Sequence, residues 1–329
     1  MSSRSFKHPP RRIAVALVVL AMVAVAGCGG GGGGGGGGDS KRLSIATGTT
    51  GGVYFVYGGA IAKLITSNLE GYEATAEATA ASVDNVNLVN DGKSSIAFSL
   101  ADTASDAVAG KDRFQGKPAQ IQALAMLYTN FTQVFTTDPK IKAIEDIKGK
   151  RVSVGAAGSG TETIALRVLE AAKLDPDTDI KRQQLAPAEC VQAMKDGSLD
   201  VCFWSGGAKT PAITDLATTE QVTLLPTVPY LEAMQAKYGD VYSEAEIPAG
   251  NYKGIDEAVP TIGVPNYLIV KSDFSEDTAY QVTKLLFDHK SELEAAHPEA
   301  KNLDVKNAQE VQPLQLHPGA QKYYSEAGS

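Results

Sequence analysis

Residues 155–162, Gly155-Ala156-Ala157-Gly158-Ser159-Gly160-Thr161-Glu162, hold residue types that can bind a small anion. Glycines let backbone N–H groups come close to a ligand, and the Ser159 and Thr161 hydroxyls can donate to it. Thr47-Gly48-Thr49-Thr50-Gly51-Gly52 repeats the arrangement near the start of the chain, with Tyr54 just beyond. Ser82-Val83-Asp84-Asn85 adds a hydroxyl and an amide, and Trp204-Ser205-Gly206-Gly207 adds an indole beside two glycines. The candidate ligand-binding set is therefore Thr49, Gly51, Gly52, Tyr54, Ser82, Asn85, Gly158, Ser159, Gly160, Thr161, Trp204, Gly206 and Gly207. Tyr54 and Trp204 would wall the site, each with an apolar body and a polar tip. Asn85 serves equally as a local cap, because Ser82 to Asn85 reads as a helix start. Glu162 either closes a capping box with Ser159 or meets an amino group of the ligand. Lys209 either counters a second carboxylate or is a solvated surface lysine. The same turns would also cap their helices with nothing bound.

Other chemistries find less support. The turns lack the lysine of a P-loop and the third glycine of a dinucleotide fingerprint. Neither Ser159 nor Ser205 sits in G-x-S-x-G, because Ala157 and Phe203 occupy the first glycine position. His289, His297 and His317 adjoin no nucleophile motif, and Cys190 and Cys202 lack metal-ligand spacing. The expectation is a binding protein rather than an enzyme, with no catalytic residue, metal or cofactor. A net charge of −8, which becomes more acidic once a basic leader is removed, argues against nucleic acid. Cys190 and Cys202 either form a disulfide or remain two buried thiols.

Each turn needs a strand before it and a helix after it. Arg151-Val152-Ser153-Val154 precedes the 155–162 turn, and the amphipathic run 161–173 follows it. Leu43-Ser44-Ile45-Ala46 leads into the first turn, and a helical run with Val53, Tyr57, Ala60, Ile61 and Leu64 on one face leaves it. Further strands are expected near 72–78, 96–99, 121–127, 132–136, 183–185, 199–204 and 222–225, with helices between most of them. This alternation predicts an α/β fold: parallel strands, helices on both faces, and ligand turns beyond the carboxyl ends of the strands. Two such sets in tandem predict two lobes with a ligand cleft between them. Lobe 1 would be residues 41–130 with about 262–329, and lobe 2 about 131–261, in a monomer. The run 261–270 would cross back to the first lobe.

Residues 1–27 read as a lipoprotein signal peptide. Arg4, Lys7, Arg11 and Arg12 precede an apolar stretch from Ile13 to Ala26, and Val25-Ala26-Gly27-Cys28 matches a lipobox that would place lipid on Cys28. An ordinary secretory signal with an incidental cysteine is the alternative. Residues 28–40 contain the unbroken tract Gly29 to Gly38, a tether spanning roughly 15–20 Å as a random coil. The expected location is the membrane surface outside the cytoplasm, at the cell surface or in the periplasm.

Several motifs in order carry a resemblance to a known family. They are Ile45-Ala46-Thr47-Gly48-Thr49-Thr50-Gly51-Gly52-Val53-Tyr54, the Ser82 to Asn85 loop, and Gly149-Lys150-Arg151-Val152 into Gly158-Ser159-Gly160-Thr161. Trp204-Ser205-Gly206-Gly207 and His317-Pro318-Gly319-Ala320 complete the series. Together they resemble the TAXI-type solute receptors of tripartite ATP-independent periplasmic (TRAP) transporters, over residues 42–328. The resemblance implies a class II periplasmic-binding-protein fold and a membrane transporter subunit as partner. It also implies a small carboxylate or amino acid as solute, such as glutamate, glutamine or 2-oxoglutarate. A same-fold binding protein of an ATP-driven (ABC) importer or a sensor is the second reading, and a secreted enzyme the third.

Overall fold

The computed structural model describes residues 41–328; the leader, Cys28 and the glycine tract lie outside the described residues. The first half of the fold starts with β1 (Lys41–Ala46), the glycine turn and α1 (Val53–Asn68). β2 (Tyr72–Glu77), α2 (Ser82–Asn90), β3 (Ile96–Leu100) and α3 (Ala101–Ala109) follow. β1 pairs in parallel with β2 from Lys41↔Tyr72 to Ala46↔Glu77, and with β3 at Ile45↔Ile96. Every residue of β3 is buried, as an apolar run in a sheet covered on both faces must be.

A second half repeats the pattern with β5 (Arg151–Ser153), α4 (Gly160–Ala171), β6 (Lys181–Gln183), α5 (Pro187–Lys195), β7 (Val201–Gly206) and α6 (Pro211–Thr219). Here β5 is parallel to both β6 and β7. α7 (Leu231–Tyr238) packs on α4.

Two long strands join the halves. β4 (Ile121–Thr136) and β10 (Val259–Lys271) run antiparallel to each other, from Lys271↔Ile121 to Gly263↔Phe131. One end of β10 pairs with β3, and the far end of β4 pairs with β7 and with β8 (Thr223–Leu225). β9 (Ser243–Ile247) pairs with the start of β10. The sheet therefore runs β2-β1-β3-β10-β4-β7-β5-β6 and is mixed. This corrects the expectation of wholly parallel strands. Parallel pairs occur within each half, whereas the central strands that link the halves are antiparallel. The expected segments 121–127 and 132–136 are one continuous strand, with Thr129 and Asn130 carried inside it.

The C-terminal helices α8 (Glu276–Asp288) and α9 (Lys290–Ala296) pack with α1 beside the first half, and α10 (Pro318–Glu326) packs on α8. His317 caps α10, its Nδ1 accepting from the Gly319 N–H at 3.3 Å. One core cluster contains Val86 and Leu100 of the first half together with Val152 and Ile164 of the second, so the apolar interior is continuous between them. Another surrounds Cys190 and Cys202, which form a disulfide between α5 and β7 with a Cα–Cα distance of 6.2 Å. Closing a loop of this length stabilises by about 3 kcal/mol in the chain-entropy account.

Candidate functional site

The connections after β1, β2 and β3 and those after β5, β6 and β7 open into one cleft. From the first half come Thr49, Gly52, Tyr54, Ser82 and Leu100; from the second, Ser159, Gly160, Thr161, Trp204, Ser205 and Gly206. β4 adds Tyr128 and Asn130. This is where an α/β sheet holds ligands, beyond the carboxyl ends of its parallel strands.

Two helices begin at the cleft. α1 starts after Gly52 with no acidic residue in its first turn, and α4 starts after Ser159. The first N–H groups of each helix have no partner within the helix and carry its partial positive charge. Three hydroxyls lie beside them, and each already accepts from a backbone N–H. Ser159 Oγ accepts from Glu162, Ser82 Oγ from Leu100 and Thr161 Oγ1 from Ser205, all at 3.1 Å. Each oxygen keeps its proton and one further lone pair. Ser82 also bonds the Tyr54 hydroxyl, which leaves Ser159 and Thr161 as the hydroxyls that can donate to a ligand. The cleft is therefore rich in donors, which suits an oxyanion.

The walls are fixed from behind. Tyr54 stacks on Phe98 at 4.8 Å and donates its hydroxyl to Asn266 Oδ1, while Asn266 Nδ2 donates to the Tyr128 carbonyl at 3.2 Å. Trp204 donates from Nε1 to Thr210 Oγ1 at 2.9 Å. A Cβ on Gly206 would lie 2.1 Å from that Nε1, so only glycine fits beside the indole.

The two halves touch closely. The Gly158 carbonyl accepts from the Val83 and Asp84 N–H groups at 3.2 and 3.3 Å, so the second half caps α2 of the first. Gly160 packs against Leu100 and Ser82 with no room for a side chain. Deeper, Arg167 of α4 reaches α3, pairing with Asp106 and approaching Asp102 at 4.0 Å.

The family model described as NMT1-like family matches residues 45–328. The chain belongs to the NMT1-like family. Among solved structures it is similar to one described under glutathione import via GshT and the cystine ABC importer TcyBC of Streptococcus mutans. That match has 15% identity and a TM-score of 0.50 over 82% of this chain and 99% of that one. It is also similar to the periplasmic aliphatic sulphonate binding protein SsuA from Escherichia coli (14% identity, TM-score 0.49, 87% of this chain and 83% of that). A putative L-cystine ABC transporter from Listeria monocytogenes matches at 14% identity and a TM-score of 0.48, over 78% of this chain and 94% of that one. At such identities the likeness is one of fold: an α/β protein with the architecture of periplasmic solute-binding proteins.

Not every expected residue of this NMT1-like chain reaches the cleft. Asn85 does not line it: its Nδ2 donates to the Thr47 and Phe98 carbonyls at 2.6 and 2.8 Å, and its Oδ1 accepts from Thr79. That fully engaged amide ties α2 to β1 and β3. Gly51 is exposed with open space around it. Gly158 spends its carbonyl on α2 and its N–H on Glu162 Oε2 at 2.9 Å. Gly207 faces away, where a Cβ would lie 2.6 Å from Glu299 Oε1.

Glu162 is not free to meet an amino group. It bonds Gln184 at 2.6 Å and pairs with Arg182 and Arg113. Burial alone would raise its pKa, but the Gly158 N–H, Arg113, Gln184 and Arg182 together hold it below the usual carboxylate range. The reciprocal arm of the expected capping box thus goes to Gly158 rather than Ser159. Lys209 is exposed and does not line the cleft. Tyr128, Asn130, Leu100 and Ser205 line it without having been expected.

The Arg167 cluster has a pH signature. Asp102, Asp106 and Asp112 share one guanidinium, with the Tyr242 hydroxyl between Arg167 and Asp102. Burial, opposed by Arg167 and assisted by the neighbouring carboxylates, raises Asp106 from 3.8 to about 6. The folded protein then keeps this proton where the unfolded chain has lost it. The resulting stabilisation is complete below about 3.8 and is lost as pH rises through about 6. Urea melts at pH 5 and pH 7 should show wild type gaining stability on acidification relative to Asp106→Asn. A pH-independent difference between the two proteins would mean that Asp106 titrates normally.

Proposed function

We propose that this protein is an extracytoplasmic solute receptor that holds a small carboxylate or amino acid in the cleft. The halves act as lobes, residues 41–130 with about 262–329 and residues 131–261, which close on the solute. One observation carries this reading: helix N-termini from both halves open into the same cleft beside the Ser159 and Thr161 hydroxyls, which can donate to an oxyanion. A carboxylate bridging α1 and α4 would favour the closed form by its extra affinity for that form and no more. The lipobox at Cys28 and the Gly29–Gly38 tether support attachment to a membrane surface, where tethering raises the local concentration of receptor near its transporter.

For the transporter, the ABC importer is the reading closer to the known structures, since the S. mutans neighbour is described with one. The TRAP reading, and with it the finer TAXI assignment and a glutamate-like solute, is supported by the order of the glycine motifs. Co-purification from native membranes separates the two: an ATPase with a permease supports the first, and a large multi-spanning subunit supports the second.

The test of the receptor reading is calorimetry on protein unfolded and refolded to remove carried-over solute, against glutamate, glutamine, 2-oxoglutarate, succinate and a neutral sugar. A carboxylate should bind, and Ser159→Val with Thr161→Val should abolish that binding. The Ser159 change also removes an N-cap worth about 1 kcal/mol, so a melt must accompany it. Undiminished affinity in a folded double variant would remove the clamp.

A further inference from the structure

Asn130 lies on β4 among the residues that line the cleft, on the same strand face as Tyr128, and is 4% exposed. Its Nδ2 donates to the Ser205 carbonyl at 3.1 Å and approaches Ser205 Oγ at 3.4 Å. A backbone carbonyl only accepts, so this bond fixes which end of the amide is nitrogen. The other end, Oδ1, is buried and has no hydrogen-bond partner among the described residues.

That oxygen stands out from its surroundings. The Ser159 and Thr161 hydroxyls and the starts of α1 and α4 can offer protons, whereas Asn130 Oδ1 can only accept. The Asn130 amide and Thr161 bond the same residue, Ser205, whose N–H donates to Thr161 Oγ1 at 3.1 Å and whose carbonyl accepts from Asn130 Nδ2. A ligand with its carboxylate near Thr161 would therefore have its neighbouring carbon's substituent near Asn130.

We propose that Asn130 Oδ1 sets the solute specificity of the cleft by requiring an N–H or O–H donor beside the carboxylate. The 2-amino acids meet the requirement and the corresponding 2-oxo acids do not. A 2-oxo group sets acceptor against acceptor and leaves the amide oxygen unpaired and buried. Sites built to bond a substrate donor discriminate strongly against analogues lacking it. The proposal rests on the receptor reading and deepens it. It also divides the solutes that the sequence motifs imply, because glutamate and 2-oxoglutarate should no longer be equivalent.

The test uses three matched pairs in calorimetry with the full chain: glutamate and 2-oxoglutarate, alanine and pyruvate, leucine and 4-methyl-2-oxopentanoate. Within whichever pair binds, the amino acid should be favoured by about ten- to a hundredfold. Asn130→Leu should reduce that ratio to within about threefold by weakening the amino acid alone. The Leu variant also leaves the Ser205 carbonyl without its donor, so absolute affinities can fall for structural reasons. The ratio is unaffected by that, since both ligands meet the same protein. Asn130→Asp, which keeps an acceptor, should retain the amino-acid preference.

Equal or tighter binding of the oxo acid by wild type, or an unchanged ratio in Asn130→Leu, would overturn the role of Asn130 and leave the receptor reading standing. Failure of all six acids to bind the refolded protein would overturn the carboxylate-receptor reading, and this proposal with it.

Discussion

Arg167→Leu should destabilise the fold by about 3–5 kcal/mol, the range for removing one partner of a buried ion pair. The guanidinium is 4% exposed and stands against Asp102, which is fully buried, with Asp106 and Asp112 beside it. Its Nη1 donates to the Tyr242 hydroxyl at 2.8 Å, which in turn donates to Asp102 Oδ2 at 3.0 Å. The Tyr238 ring lies 4.0 Å from its Cζ, so part of the charge rests on an aromatic face. Leucine would keep the apolar stem and remove the only cation that these carboxylates share among the described residues. Denaturant melts of a triple variant, Arg167→Leu with Asp102→Asn and Asp106→Asn, separate charge from packing. Most of the loss should return once the uncompensated carboxylates are gone. A single-variant loss under about 1 kcal/mol would mean that water or local rearrangement already screens the cluster. The cluster ties α4 to α3, so the variant should also loosen the grip of one half of the fold on the other.

That cluster was not legible in the sequence, and the reason is physical. Arg167 lies on a helix whose apolar periodicity is plain in the sequence, but a lone arginine on such a face reads as solvated. Its partners come from α3, a segment with alternating alanines and polar residues, and from Tyr242, which lies between elements. Their meeting depends on how the two halves pack, and no local pattern records that. β9 is similar: Ser243-Glu244-Ala245-Glu246-Ile247 looks like a charged loop and becomes a strand only because β10 offers an edge.

Signals carried by the local backbone were legible. The glycine turns after β1 and before α4 announce themselves because only certain residues can make a strand turn directly into a helix start. Both turns do open at the cleft. The side chains within the turns were harder to assign. Asn85 and Asn130 have the same chemistry, yet the first is consumed by carbonyls of its own half and the second keeps an empty acceptor. A signal for Asn130 did exist: Thr129-Asn130 lies between the extended runs 121–127 and 132–136 with no turn residue to separate them. The sequence pattern alone suggests a gap between two strands there, whereas a polar residue within one buried strand is the arrangement that needs a partner.

Gly160→Val should abolish solute binding, with affinity falling by about a hundredfold or more, while the protein still folds. The helix side of the argument is favourable, because Gly160 begins α4 without a left-handed φ and its backbone can carry a side chain. The obstacle lies in the other half of the sheet. A Cβ there would lie 2.5 Å from Leu100 Cδ1 and 2.7 Å from Ser82 Oγ. Leu100 would have to turn its side chain within a buried core. Ser82 cannot turn away, being 1% exposed and holding the Leu100 N–H through its oxygen. The valine must therefore push α4 back from Ser82, and a site that needs donors from both sides loses its geometry through a small displacement. Gly51→Ala is the matched control, because nothing lies within 4 Å of a Cβ at that turn position. The informative result is a split. Gly51→Ala should bind as wild type does, while Gly160→Val should lose about 1–3 kcal/mol in a denaturant melt, remain folded and fail to bind. Normal binding by Gly160→Val would mean that the solute does not need the two halves as close as they stand, and the clamp would have to be built from one half alone.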